Sequence, residues 1–137
     1  IPELRRACGD RAVLRAFHFF NEQNRVEEQK AALKAGDFES FLRLVNESGE
    51  SSYDYLQNLY SNSDVAEQGL PLAIALTKKF LNGKGACRVH GGGFAGTIQC
   101  YIPTGILADY KKMIEAVFGC GSCCVLNIRP IGGYEIK

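Results

Sequence analysis

The stretch Ala86–Ile102, A-C-R-V-H-G-G-G-F-A-G-T-I-Q-C-Y-I, constrains this chain more than any other, because a glycine-dense turn lies between two runs with apolar residues at alternate positions. Alternation of that kind is the period of a half-buried strand. Six of the fifteen glycines fall between Gly83 and Gly96. A hairpin turn is complete with about two to five residues, and three consecutive glycines cost more chain entropy than a turn alone requires. Glycine also serves plain turns and bulges, since it reaches positive φ without a Cβ penalty. Close approach of the backbone to another group explains this density better.

Residues 91–96 spell G-x-G-x-x-G, with Gly91, Gly93 and Gly96 in place. A dinucleotide fingerprint needs a helix after the glycines, whose N-terminus faces the pyrophosphate. Here Ile98, Cys100 and Ile102 alternate instead, so a strand follows and that reading fails. Lys84 is followed by Gly85 rather than Ser or Thr, which removes a P-loop. Neither H-R-D nor D-F-G occurs, which removes a protein kinase.

At 137 residues, 46% hydrophobic and a mean hydropathy of -0.10, the sequence reads as one soluble domain over 1–137. A net charge of +1 argues against nucleic acid or an anionic membrane as partner, and no apolar run reaches a membrane span. No signal peptide is evident, and the chain begins Ile1-Pro2, as expected of a segment of something longer. Of six cysteines, Cys87 and Cys100 fall at inward strand positions and read as small core hydrophobes. Cys120-Gly-Ser-Cys123 is formally C-x-x-C. It has no second ligand pair and follows a helix, so neither zinc nor redox chemistry is expected, and no metal site. Reduced thiols and a cytoplasmic location follow.

The spacing predicts a long helix over about 10–35, with Ala12, Ala16, Phe19, Val26 and Leu33 as its inward stripe. Gly36 stops it. Asp37 caps a second helix carrying Phe38, Phe41, Leu42 and Val45, ended by Gly49, and the two form an antiparallel hairpin. Tyr53, Leu56 and Tyr60 suggest a further helical piece, and Asp64 with Glu67 has capping-box-like spacing. Pro71 fits the first turn of a helix with Leu72, Ala75, Leu76 and Phe80 inward and Gly83 as its stop. Residues 10–82 are thus mainly helical. Residues 85–137 read strand, glycine loop, strand, helix and strand: the helix bears Leu107, Tyr110, Ile114 and Val117 up to Gly119, and the last strand is Cys123 to Ile128. The fold class is α+β, a small antiparallel sheet packed with helices and preceded by a helical hairpin.

Other candidate chemistry is sparse. Arg88 and His90 share a strand face; Arg88 reads as solvated, and His90 as orienting the turn. His18, among Phe17, Phe19 and Phe20, reads as a core-edge histidine, and Glu27, Glu28 and Lys30 as a solvated helix face. No nucleophile, base and orienting group assemble, so no catalytic residue is assigned.

Gly85-Ala-Cys-Arg-Val-His-Gly-Gly-Gly-Phe-Ala-Gly-Thr97 resembles the third motif of the GHMP small-molecule kinases, specifically the G-A-R-x-x-G-G-G-F-G-G of galactokinases. His18 through Val26, Ala35-Gly-Asp-Phe38 and Val45-Asn-Glu-Ser48 are similar to the helical segment preceding that motif, and Arg129-Pro-Ile-Gly-Gly133 to the family's chain end. The likeness runs from about Arg11 to Gly133. It implies a GHMP-kinase C-terminal domain with a ferredoxin-like sheet. The implied reaction is transfer of the ATP γ-phosphate to the anomeric hydroxyl of galactose, with Mg2+. Gly91, Gly92, Gly93, Phe94, Ala95 and Gly96 would line the phosphate region, with Phe94 anchoring the turn by packing. Phosphoryl transfer depends on positioning and on stabilising negative charge, which bare amides do well.

The family's G-L-S-S-S-A loop, its galactose signature and the segment bearing its catalytic aspartate and arginine do not occur here. The resemblance therefore implies a missing N-terminal kinase domain as partner, and a piece inactive alone. Ala95 stands where galactokinases more often have glycine, and Gly49 where a histidine is common. An N-acetylgalactosamine or arabinose kinase, or a non-catalytic sugar-sensing module of the same fold, is the alternative.

Overall fold

In the computed structural model, which describes residues 1–94, 96–128 and 130–131, Gly9 at φ 79° separates a short helix α1 (Pro2–Cys8) from the 26-residue α2 (Asp10–Ala35). Gly36, left-handed at φ 70°, ends α2. The Asp37 carboxylate then accepts the Ser40 amide at 3.0 Å and caps α3 (Phe38–Ser51), satisfying one orphan donor of the first turn. Contacts pair residue 18 with 51, 22 with 48 and 25 with 47, so the two helices run antiparallel as expected.

Gly49 does not end α3. The helix passes through it to Ser51 and continues as a π-helical turn, Ser52–Leu56, closed by Gln57 at φ 54°. The reason is tertiary: a Cβ at Gly49 would lie 3.0 Å from the Cys87 carbonyl oxygen and 3.2 Å from the Arg88 Cα. Glycine here lets the helix press against a strand. Asp64 likewise caps no helix; its carboxylate accepts the Ala66 amide in a local turn, and α4 (Gly69–Leu81) begins later.

Strands β1 (Ala86–Val89) and β2 (Ile98–Tyr101) pair antiparallel, with Cys87 opposite Cys100 and Val89 opposite Ile98. A 3-10 turn, Thr104–Ile106, leads into α5 (Leu107–Phe118), which stops at Gly119 with φ 96°. The hairpin is covered on both faces. On one, Phe41 of α3 meets Tyr101 edge to face at 5.4 Å, and Arg88 lies beside Gly49. On the other, the buried Thr77 hydroxyl lies 2.9 Å from the Tyr110 hydroxyl, which contacts the Cys100 thiol at 3.3 Å. Leu59, Leu70 and Val89 form the core, with Tyr60, Ile74 and Ile98 against it. The architecture is α+β, mostly helical with a two-stranded sheet.

Several packing expectations are corrected. Phe19, Val26 and Leu33 are exposed, and α2 buries Val13 and Ala32. A strict seven-residue repeat drifts around a 3.6-residue helix by ~20° per heptad, and α2 meets α3 through polar His18, Glu22 and Arg25 instead. Phe38 is exposed and stacks on Phe41. In α4 the buried side is Leu70, Thr77 and Leu81, leaving Leu72 and Ala75 outside; the Thr77 hydroxyl there meets the Tyr110 hydroxyl. Val117 is half exposed. Cys123–Ile128 forms no strand ladder among the described residues, and Val125, Leu126 and Ile128 are exposed. The ferredoxin-like sheet is thus reduced to β1 and β2 among the described residues. No helix among them is long and apolar enough to cross a membrane.

Candidate functional site

The glycine loop joins β1 to β2. The His90 amide donates to the Thr97 carbonyl at 3.1 Å, extending the ladder by one rung. Beyond it Gly91, Gly93 and Gly96 take φ of 65°, 74° and 89°, values that carry little cost only for glycine. Phe94 adopts φ 52°, a strained setting for a side-chain-bearing residue. Phe94 is also 58% exposed, so it does not anchor the turn by packing.

The anchor is Asn58, just after the π-helical turn. Its side-chain amide donates to the Gly92 carbonyl at 3.1 Å, and its main-chain carbonyl accepts the Phe94 amide at 3.0 Å. Gly93 lies so close that a Cβ there would fall 2.1 Å from the Asn58 carbonyl oxygen. A lone asparagine within the aromatic run Y-D-Y-L-Q-N-L-Y was the available sequence signal. Nothing in that spacing points to a loop some thirty-five residues downstream.

The amides of Gly91, Gly92, Gly93 and Gly96 donate to no described acceptor. A Cβ at Gly91, Gly92 or Gly96 would meet nothing within 4 Å. Among its described residues the loop is pinned at Asn58 and open at Gly91, Gly92 and Gly96. Successive free amides without side chains make a concavity suited to anions. Ala95, the remaining member of the expected set, lies outside the described residues, as do Arg129, Gly132 and Gly133 of the expected chain-end motif.

Arg88 does not join this site and is partly buried rather than freely solvated. Its guanidinium sits 3.8 Å from Glu22 and donates to the Val89 carbonyl at 3.1 Å. Glu22 also pairs with Arg25 and accepts the Ser48 hydroxyl at 2.6 Å. His18 Nδ1 lies 3.0 Å from the Ser51 hydroxyl. Burial, foremost, holds its pKa below the ordinary histidine value, reinforced by the Arg88 and Arg25 cations and opposed by the Ser51 hydrogen bond. These groups bind helix to helix and helix to strand.

A cavity of about 600 Å³ opens between the π-helical turn and α4, where Tyr53, Leu59, Ile74 and Cys87 meet under the Lys78–Glu50 ion pair. No loop glycine lines it. All six cysteines are free. Burial pushes the Cys87 thiol up to about 11, the behaviour of an inert core cysteine. Among the described residues no group of three His, Cys, Asp or Glu side chains gathers to hold a metal ion.

Comparison with known proteins bears on this loop. A galactokinase of Glaesserella parasuis serovar 5 is 30% identical over 103 residues, covering 75% of this chain and 25% of the relative. One of Actinobacillus pleuropneumoniae serotype 5b is 29% identical, with the same coverage. The chain is galactokinase-like. A third relative, the galactokinase of Mannheimia succiniciproducens, is 26% identical over 108 residues, covering 79% of this chain and 26% of the relative. This galactokinase-like chain spans about a quarter of the length of the curated relatives it matches. A contiguous match of 103 residues within 137 necessarily takes in residues 35–103, the glycine loop among them. No family model matches the chain, and no solved structure does.

Proposed function

We propose that this chain is the C-terminal part of a galactokinase of the GHMP type, in which the loop formed by Gly91, Gly92, Gly93, Phe94, Ala95 and Gly96 borders the phosphates of ATP. The observation that carries this reading is the set of glycine amides with no described acceptor, in a chain galactokinase-like over three quarters of its length. ATP supplies the phosphoryl group when bound. The loop's part is to offer backbone donors, already oriented, to the negative charge of the transferring group. Glycine is suited to this because any Cβ would hold the phosphate away from the N–H groups.

The remaining N-terminal domain completes the site: it supplies the galactose pocket, the catalytic groups and the ligands of Mg2+. This piece alone transfers no phosphate, and the whole enzyme acts in the cytoplasm. The test is galactose-dependent release of ADP, measured on the complete protein and on this chain by itself. Activity in the first and none in the second is expected. Galactose binding without ADP release by the complete protein would replace the kinase reading with a sugar sensor, and ADP release with another sugar alone would reassign the substrate.

A further inference from the structure

Asn58 is 2% exposed, and its side-chain oxygen Oδ1 has no hydrogen-bond partner among the described residues. A buried acceptor left unpaired is rare and costly. Were Asn58 needed only to fill space, an apolar residue of similar shape would serve with less penalty. What the carboxamide achieves is local: Nδ2 holds the Gly92 carbonyl while the main-chain carbonyl holds the Phe94 amide. Strained backbone lies on both sides of this contact, with Gln57 at φ 54° and Phe94 at φ 52°. Strain of that kind persists where surrounding contacts impose it, and it clusters at ligand-binding elements.

We propose that Asn58 is a positioning residue for the polyphosphate of the nucleotide. By fixing the Gly92 carbonyl inward, it turns the Gly93 amide, which points the opposite way in the same peptide plane, away from the core and toward the ligand, and the inward Phe94 amide holds the next plane in register. Gly93 completes the clamp by leaving room for the Asn58 carbonyl. This inference rests on the reading of the loop as a phosphate site.

The experiment compares the complete protein with its Asn58→Ala and Asn58→Asp variants. ATP and galactose affinities are read by titration calorimetry, the KM for each by steady-state kinetics, and folding by circular dichroism and thermal melting. Asn58→Asp keeps shape and acceptors but removes the Nδ2 donor and adds negative charge beside the loop. The expected result is ATP affinity reduced roughly tenfold in Asn58→Ala, the equivalent of one good hydrogen bond, and further in Asn58→Asp. Galactose affinity stays unchanged. ATP affinity unchanged in a folded variant overturns the proposal. Equal loss of ATP and galactose affinity, or unfolding of both variants, also overturns it, because Asn58 would then be a general core residue. A wild-type protein that binds no ATP removes the phosphate reading itself, a failure visible before any variant is made.

Discussion

The seam between α2, α3 and β1 and the loop between β1 and β2 are both rich in polar atoms, yet they dispose of them in opposite ways. At the seam Glu22 meets Arg25, Arg88 and Ser48, and His18 meets Ser51. Each of these groups has a partner inside the chain. At the loop, four glycine amides have none among the described residues, and Asn58 keeps one oxygen unpaired. Polar groups satisfied internally hold a fold together, because breaking them leaves a half-buried charge or donor exposed to a low dielectric. Polar groups left open on a rigid support are available to a ligand. The contrast separates polarity satisfied within the fold from polarity left open among the described residues, and the charged region is the satisfied one.

The comparison breaks most visibly at Gly93. Gly93→Ala forces a Cβ into the Asn58 carbonyl at a residue with φ 74°, and a stability loss of about 3 kcal/mol is expected. Gly92→Ala, whose Cβ meets nothing, should lose less than about 1 kcal/mol. Urea unfolding of the two variants side by side checks both; equal losses would mean that the loop is not pinned at one point. On the other side, Glu22→Ala leaves Arg25 and Arg88 without their shared carboxylate and should cost about 2 kcal/mol, with no effect on nucleotide affinity in the complete protein. A change in that affinity would erase the distinction between the two regions.

The smallest effect concerns pH. The folded-state pKa of His18 is lowered, so the unfolded chain binds the proton more readily. The contribution of His18 is therefore fully present above about pH 6.5 and is lost as pH falls through that value toward the folded pKa. Urea midpoints at about pH 7.5 and about pH 5.5 should differ less in His18→Gln than in the parent protein. An unchanged difference would place the acid sensitivity elsewhere than the seam.

Local chemistry was legible in the residues. Gly36-Asp37 marks a helix stop and an N-cap, the alternation on either side of the glycines marks two strands, and Gly119 marks the end of α5, because caps and turns depend on neighbours a few positions away. Which helix faces turn inward was not legible. The heptad of Phe19, Val26 and Leu33 is more apolar than the face α2 buries, and only the arrival of Ser48, Ser51 and Arg88 gives His18 and Glu22 partners that repay their burial. The break expected at Gly49 failed for the same reason. A glycine within a helical pattern signals a stop or a close approach equally well, and the strand that decides the matter lies thirty-eight residues away.

For the candidate site the division is the same. The sequence by itself determined that bare backbone would cluster between two strands, since glycine density and alternation are local properties of the chain. Only the tertiary structure decided which of those amides are tied down and which stay open, because the tether is Asn58, remote in sequence and brought beneath the loop by the continuation of α3 past Gly49.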